Sequence, residues 1–206
     1  MTHQKNIVTA GVPLDQAKKA LIMIHGRGAS AQDIISLATY LNVGDYALIA
    51  PQASGHTWYP YSFMAPVAQN EPGLSSAISV INSIVDDILK AGIPVSNIYF
   101  MGFSQGACLT LEYVTRHAQA YGGVVAFTGG LIGAELDPAN YTGDFNGTPV
   151  FIGSSDPDMH VPVTRVRESE KIIKNMGADI TVKVYPGMGH TISQDEVETA
   201  NSLVFK

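Results

Sequence analysis

Residues 97–117 read NIYFMGFSQGACLTLEYVTRH. An apolar β-type run at 97–101 passes through Gly102-Phe103-Ser104-Gln105-Gly106 into a segment of helical periodicity at 105–117. A serine on a sharp strand-to-helix turn presents its hydroxyl outward. The positive N-terminal end of the helix then faces any negative charge that develops beside it. The two glycines let neighbouring backbone pass the turn without a Cβ clash. A G-x-S-x-G pentapeptide alone is a weak pattern, and its seat between an apolar strand and a helix makes it a strong one.

Outward from this turn the same alternation fills the chain. Strands are expected at 5–10, 20–24, 46–50, 97–101, 123–127, 149–153 and 180–185, with helices at 31–41, 75–91, 105–117, 163–176 and 194–205. LIMI at 21–24, VVAF at 124–127 and FIG at 151–153 are continuously apolar, as strands covered on both faces are. Ser30 is placed to cap the first helix, and Gly92 to stop the second. The pattern predicts an α/β fold with a mostly parallel sheet and helices on both faces. The length of 206 residues suits one domain, 1–206, with a sizeable core. Two stretches resist the alternation: 52–73, rich in Pro and aromatics, and 129–147, rich in Gly and polar residues. Both follow strands, and in open α/β sheets ligands sit beyond the carboxyl ends of strands, so both are expected to border the site.

A serine hydroxyl is a poor nucleophile without a base. In chain order the base should follow the serine and an acid, and His190, in Gly187-Met188-Gly189-His190 after the strand-like TVKVYP, meets that order. The acid is expected in the loop after PVFIG. Asp156 is chosen because it follows the strand end closely and Pro157 fixes the turn beyond it, with Asp158 as the rival. A tetrahedral intermediate needs two backbone N–H donors. These are expected from Gln105, next to the serine, and from Arg27 in His25-Gly26-Arg27-Gly28 after the first buried strand.

Bulk composition narrows the partners. A net charge of −6, with twelve Lys and Arg scattered and no basic run, disfavours nucleic acid. No apolar run approaches the length of a membrane span, so stable membrane insertion is not expected. The single cysteine, Cys108, excludes an internal disulfide and reads as helix packing. The N-terminal MTHQKNIVTAGVPLDQ lacks a basic start followed by an apolar core, which makes the expected location cytoplasmic.

Four pieces, LIMIHGRGAS, FMGFSQGACL, FIGSSDPDMHVP and VYPGMGHTIS, resemble the carboxylesterase/phospholipase family of α/β-hydrolases, which contains the acyl-protein thioesterases. They span nearly the whole chain. The resemblance implies the α/β-hydrolase fold without a separate lid domain. It also implies metal-free, cofactor-free hydrolysis of a small-molecule ester or thioester at an open site. The family's G-x-x-D-P-x-V-P acid loop, counted from Gly153, puts the acid at Asp156. Two departures stand out: the loop runs two residues longer before Val161-Pro162, and Arg27 replaces an apolar residue. Its guanidinium is free to meet a polar or anionic substrate group.

Three functions compete: a hydrolase of small to medium acyl esters, a thioesterase, acyltransferase or lysophospholipase using the same residues, and a ligand-binding homologue without turnover. Trp58, Tyr59 and Phe63 are expected to bind substrate, with Tyr61 and Met64 in support. A satellite apolar cluster is the competing account of this run, and a homodimer contact is its other use. Asp156, Asp158 and His160 invite a metal reading, but no metal-ligand spacing supports one. His25 is expected to brace the oxyanion loop, and His56 and His160 are loop residues at the pocket border or in solvent.

Overall fold

A computed structural model describes residues 2–206. Seven strands form one sheet: β1 Ile7–Gly11, β2 Lys19–Ile24, β3 Tyr46–Pro51, β4 Ile98–Phe103, β5 Gly123–Phe127, β6 Pro149–Asp156 and β7 Asp179–Pro186. Their order is β1-β3-β2-β4-β5-β6-β7; β1 runs antiparallel to β3 and every other pair is parallel. The helices are α1 Ala31–Ser36, α2 Val67–Asn70, α3 Gly73–Lys90, α4 Gln105–Arg116, α5 Val163–Asn175 and α6 Gln194–Leu203.

The continuous apolar runs are the central strands, and alternation divides each between two layers. On β2, Ala20, Ile22 and Ile24 pack with α3, α4 and α5, while Leu21 and Met23 pack with α1 and α6. Helices therefore cover both faces, as the sequence pattern predicts. Ser30 caps α1 with Asp33, and Ser193 caps α6 with Glu196, each in a reciprocal box. Among the described residues no helix is long and apolar enough to cross a membrane.

Two boundaries differ from expectation by more than two residues. The first helix stops at Ser36 and continues as a 3-10 turn, Leu37–Tyr40. More consequentially, β6 runs three residues past Gly153, because β7 keeps pairing with it as far as Asp156 opposite Pro186.

Chain direction reverses around β2: β3 lies on one side of it and β4 on the other. The crevice beyond β2 and β4 is the topological switch point, where ligands bind in open α/β sheets. Arg27 follows β2 and Ser104 follows β4, so the two flank it.

Candidate active site

Ser104 sits at the turn between β4 and α4 with φ 55° and ψ −118°, a backbone conformation that L-residues rarely adopt. Strain of this kind costs on the order of 1–3 kcal/mol and persists only where the surroundings enforce it. Enforcement comes from close packing. A Cβ on Gly102 would collide with the Gly106 carbonyl and Thr110 Oγ1, and one on Gly106 with the Ile24 carbonyl. The Ser104 amide also donates to the Phe127 carbonyl at 3.0 Å. The turn thus holds Ser104 Oγ forward over the end of α4.

His190 meets it from the loop after β7. Ser104 Oγ donates to His190 Nε2 at 2.7 Å, and His190 Nδ1 donates to Asp158 Oδ2 at 2.8 Å. The other oxygen, Asp158 Oδ1, accepts from the amides of His160 (2.7 Å) and Val161 (2.9 Å). Burial alone would raise the Asp158 carboxyl; those two amides and His190 outweigh it and hold it below the ordinary carboxylate range. The imidazole ring lies between Phe103 (centroids 5.4 Å) and the edge-on ring of His160 (4.8 Å). Gly189 donates its amide to Ser155 Oγ at 2.9 Å, which fixes the loop that carries His190. Such a line can take a proton from a hydroxyl at one end while the carboxylate steadies the imidazolium at the other.

The expected acid, Asp156, is not the partner of His190. It still belongs to β6, lies exposed at the strand end, and the turn toward His190 begins only beyond it. Its side chain therefore stays on the strand while Asp158, two residues on, swings under the imidazole. Counting back from Val161-Pro162 instead of forward from Gly153 finds Asp158, because the two added residues lengthen the strand end and leave the approach to Val161 intact. Asp158 is committed to His190 and to two amides, so Asp156, Asp158 and His160 do not form a three-donor cluster.

Arg27 and Gln105 line one cavity of about 600 Å³ with Ser104 and His190. Among the described residues, neither backbone amide has an acceptor. Their side chains have work that the sequence did not reveal. Gln105 Oε1 accepts from the Trp58 amide (2.9 Å), and Gln105 Nε2 donates to the Tyr59 carbonyl (2.9 Å). Arg27 Nη2 donates to the carbonyls of Tyr59 (2.9 Å) and Tyr61 (2.8 Å), and Nη1 to that of Pro60 (3.1 Å). Both hold residues 57–61, a strap that forms one wall of the cavity.

Along that strap the aromatic residues separate. Tyr59, Tyr61 and Phe63 line the cavity. Trp58 does not: it is fully buried behind the strap, with its indole N–H on the His25 carbonyl at 2.8 Å. Tyr61 alone of the four aromatics is exposed, at 58%, while still lining the cavity. His25 accepts the Ala53 amide at Nε2 and turns Nδ1 to the Gly26 carbonyl, so it braces the Arg27 loop. Burial lowers its pKa, with the Gly26 bond opposing, which keeps the ring neutral.

Stretch 129–147 contributes no lining residue and lies behind the wall. Arg165, buried, donates to the carbonyls of Leu131, Gly133 and Ala134, and a Cβ on Gly130 would press on the Arg165 side chain and Ser169 Oγ. The backbone of this stretch serves that scaffold, not the cleft. Cys108, almost wholly buried, borders the cavity and packs against the core, and burial pushes its thiol up to about 12.

The phospholipase/carboxylesterase family model matches residues 5–205. A crystal structure of a phospholipase/carboxylesterase from Dyadobacter fermentans is 56% identical, covers 100% of this chain and 99% of that one, and superposes with a TM-score of 0.99. Acyl-protein thioesterase 1 of Kluyveromyces lactis is 29% identical, over 94% of this chain and 93% of its own length. A probable carboxylesterase of Oryza sativa subsp. japonica is 25% identical, over 89% of this chain and 76% of its own. With a strained serine turn, a cleft at the sheet's switch point and a family match across almost its whole length, the chain belongs to the phospholipase/carboxylesterase family of α/β-hydrolases.

Proposed function

We propose that this carboxylic ester hydrolase cleaves esters of small to medium acyl groups through an acyl-enzyme, with Ser104 as nucleophile, His190 as base and Asp158 orienting the imidazole. The observation that carries the reading is the unbroken hydrogen-bonded line from Ser104 Oγ through His190 to Asp158 Oδ2. His190 Nε2 takes the hydroxyl proton as Oγ bonds to the acyl carbon, and the carbonyl π pair moves onto oxygen. The Arg27 and Gln105 amides receive that oxyanion, and losing one such donor costs roughly 3–4 kcal/mol of transition-state stabilisation. Collapse expels the alcohol, protonated by His190; water then repeats the sequence to release the acid and restore Ser104.

The test is a series of p-nitrophenyl esters from acetyl to decanoyl, with wild type and Ser104→Ala. Turnover peaking at short to medium acyl length and lost in the variant, with circular dichroism unchanged, is the expected result. Serine-independent turnover would overturn the reading. A second reading, thioester cleavage by the same groups, is favoured by the similarity to acyl-protein thioesterase 1 along 94% of the chain. Oxygen and sulfur esters of one acyl group separate the two.

A further inference from the structure

Four arginines occur in the chain. Arg116, Arg165 and Arg167 each lie against a carboxylate, those of Glu112, Glu168 and Glu170. Arg27 is the exception. Among the described residues no carboxylate lies within 4 Å of it, although the chain as a whole carries a net charge of −6. Its partners are three strap carbonyls, which fix the guanidinium without neutralising it. A guanidinium has five N–H donors in a rigid fork. Three are used, so Nε–H and one Nη1–H remain.

The cavity wall repeats the asymmetry. None of its lining residues is Asp or Glu, whereas Arg27, His160 and His190 all belong to it. A held, unneutralised cation lining the same cavity as the nucleophile, with donors to spare and no acid in the wall, is an anion-recognition element in place before substrate arrives.

We propose that the preferred substrate is an ester that carries a carboxylate, recognised by the Arg27 side chain. This inference rests on the hydrolase reading above and names the substrate class for that same site.

Two matched pairs test it, each followed by release of its phenol. The monoadipate ester of p-nitrophenol and its methyl ester place the charge, or its neutral equivalent, on the acyl side. The anion of 3-acetoxybenzoic acid and its methyl ester do so on the leaving side. Wild type is expected to favour the charged member of at least one pair by about tenfold in kcat/KM, the worth of one charge-assisted contact. That preference should shrink as salt rises from 10 to 300 mM, roughly the range over which exposed charges become screened. Arg27→Gln should bring the charged-to-neutral ratio toward unity, and Arg27→Lys should keep part of it. Arg27 also clamps the strap, so both members of a pair will slow in the variants, and the ratio is the readout. An unchanged ratio in Arg27→Gln, or no salt-sensitive preference in wild type, would overturn the proposal. Turnover of the neutral members through Ser104 would leave the hydrolase reading standing in that case; its loss in wild type would sink both.

Discussion

Asp158, two residues past the end of β6, holds His190 Nδ1 at 2.8 Å while its second oxygen takes two backbone amides. A carboxylate anchored at both oxygens is fixed in orientation, and it fixes the imidazole in the tautomer that leaves Nε2 to accept a proton. Asp158→Asn is expected to lower kcat by about 10⁴-fold, because an amide disturbs that tautomer. Asp156→Asn, exposed on the strand, should stay within a fewfold of wild type. Steady-state kinetics on one p-nitrophenyl ester compares them, and the reverse ranking would return the role to Asp156.

Gly106 and Gly28 offer a paired test of packing against conformation. A Cβ at Gly106 meets the Ile24 carbonyl inside the β2–α4 contact, so Gly106→Ala should cost roughly 3 kcal/mol or more, as overpacked backbone does. Gly28 has open space around it but φ +79°, so Gly28→Ala should cost only about 1–2 kcal/mol of conformational strain. Urea unfolding midpoints give both values; equal losses would mean that the turn has room to yield.

Gln105→Ala removes the acceptor of the buried Trp58 amide and the donor to the Tyr59 carbonyl. Leaving buried polar groups unpaired costs about 1–3 kcal/mol each, and the strap should loosen with it. Activity is expected to fall about tenfold or more in kcat/KM, by an analogous loss of cavity order. Gln105→Glu should do no better, since its second oxygen would face the Tyr59 carbonyl. Recovery of activity in Gln105→Glu would show that the side chain acts in some other way.

Glu196 supplies a pH-dependent stability. It is fully buried, and although Ser193 donates to Oε2 through its amide and hydroxyl, Oε1 has no partner among the described residues. Burial raises its carboxyl above the ordinary value of 4.5, with the Ser193 bonds opposing. The folded protein therefore holds this proton more tightly than the unfolded chain. The resulting stabilisation is complete below pH 4.5 and is lost as pH rises through the higher folded value. Glu196→Gln cannot ionise, so its Tm relative to wild type should climb as pH goes from 4 to 8. A flat difference would mean that the carboxyl ionises as readily in the fold as out of it.

Ser104 and His190 were legible because each depends on local chain: a tight turn between strand and helix, and a glycine-flanked loop after a late strand. Asp158 was not, since the choice between two nearby carboxylates turned on how far β7 keeps pairing with β6, a tertiary matter. Trp58 misled for a related reason. An aromatic-rich loop reads the same whether its rings face ligand or core, and only the His25 carbonyl behind the strap draws that indole inward. The stretch 129–147 reads like a site border because the Arg165 fork that its backbone carbonyls of Leu131, Gly133 and Ala134 hold arrives from a distant helix. Sequence order also hides the strap's fastenings, because the strap carbonyls that Arg27 and Gln105 grip lie 32 to 46 residues away along the chain.

Those fastenings have a kinetic consequence. The two residues whose amides are proposed to receive the oxyanion also grip, through their side chains, one wall of the cleft. A substrate too bulky for the cleft can enter only by pushing that wall, and the push is transmitted to the donors that the reaction needs. Misfitting esters should then be seated almost as readily as good ones but advance slowly once seated. Discrimination of that kind is exercised at the chemical step and not at the door, so poor substrates of this enzyme are expected to act as competitive inhibitors of good ones.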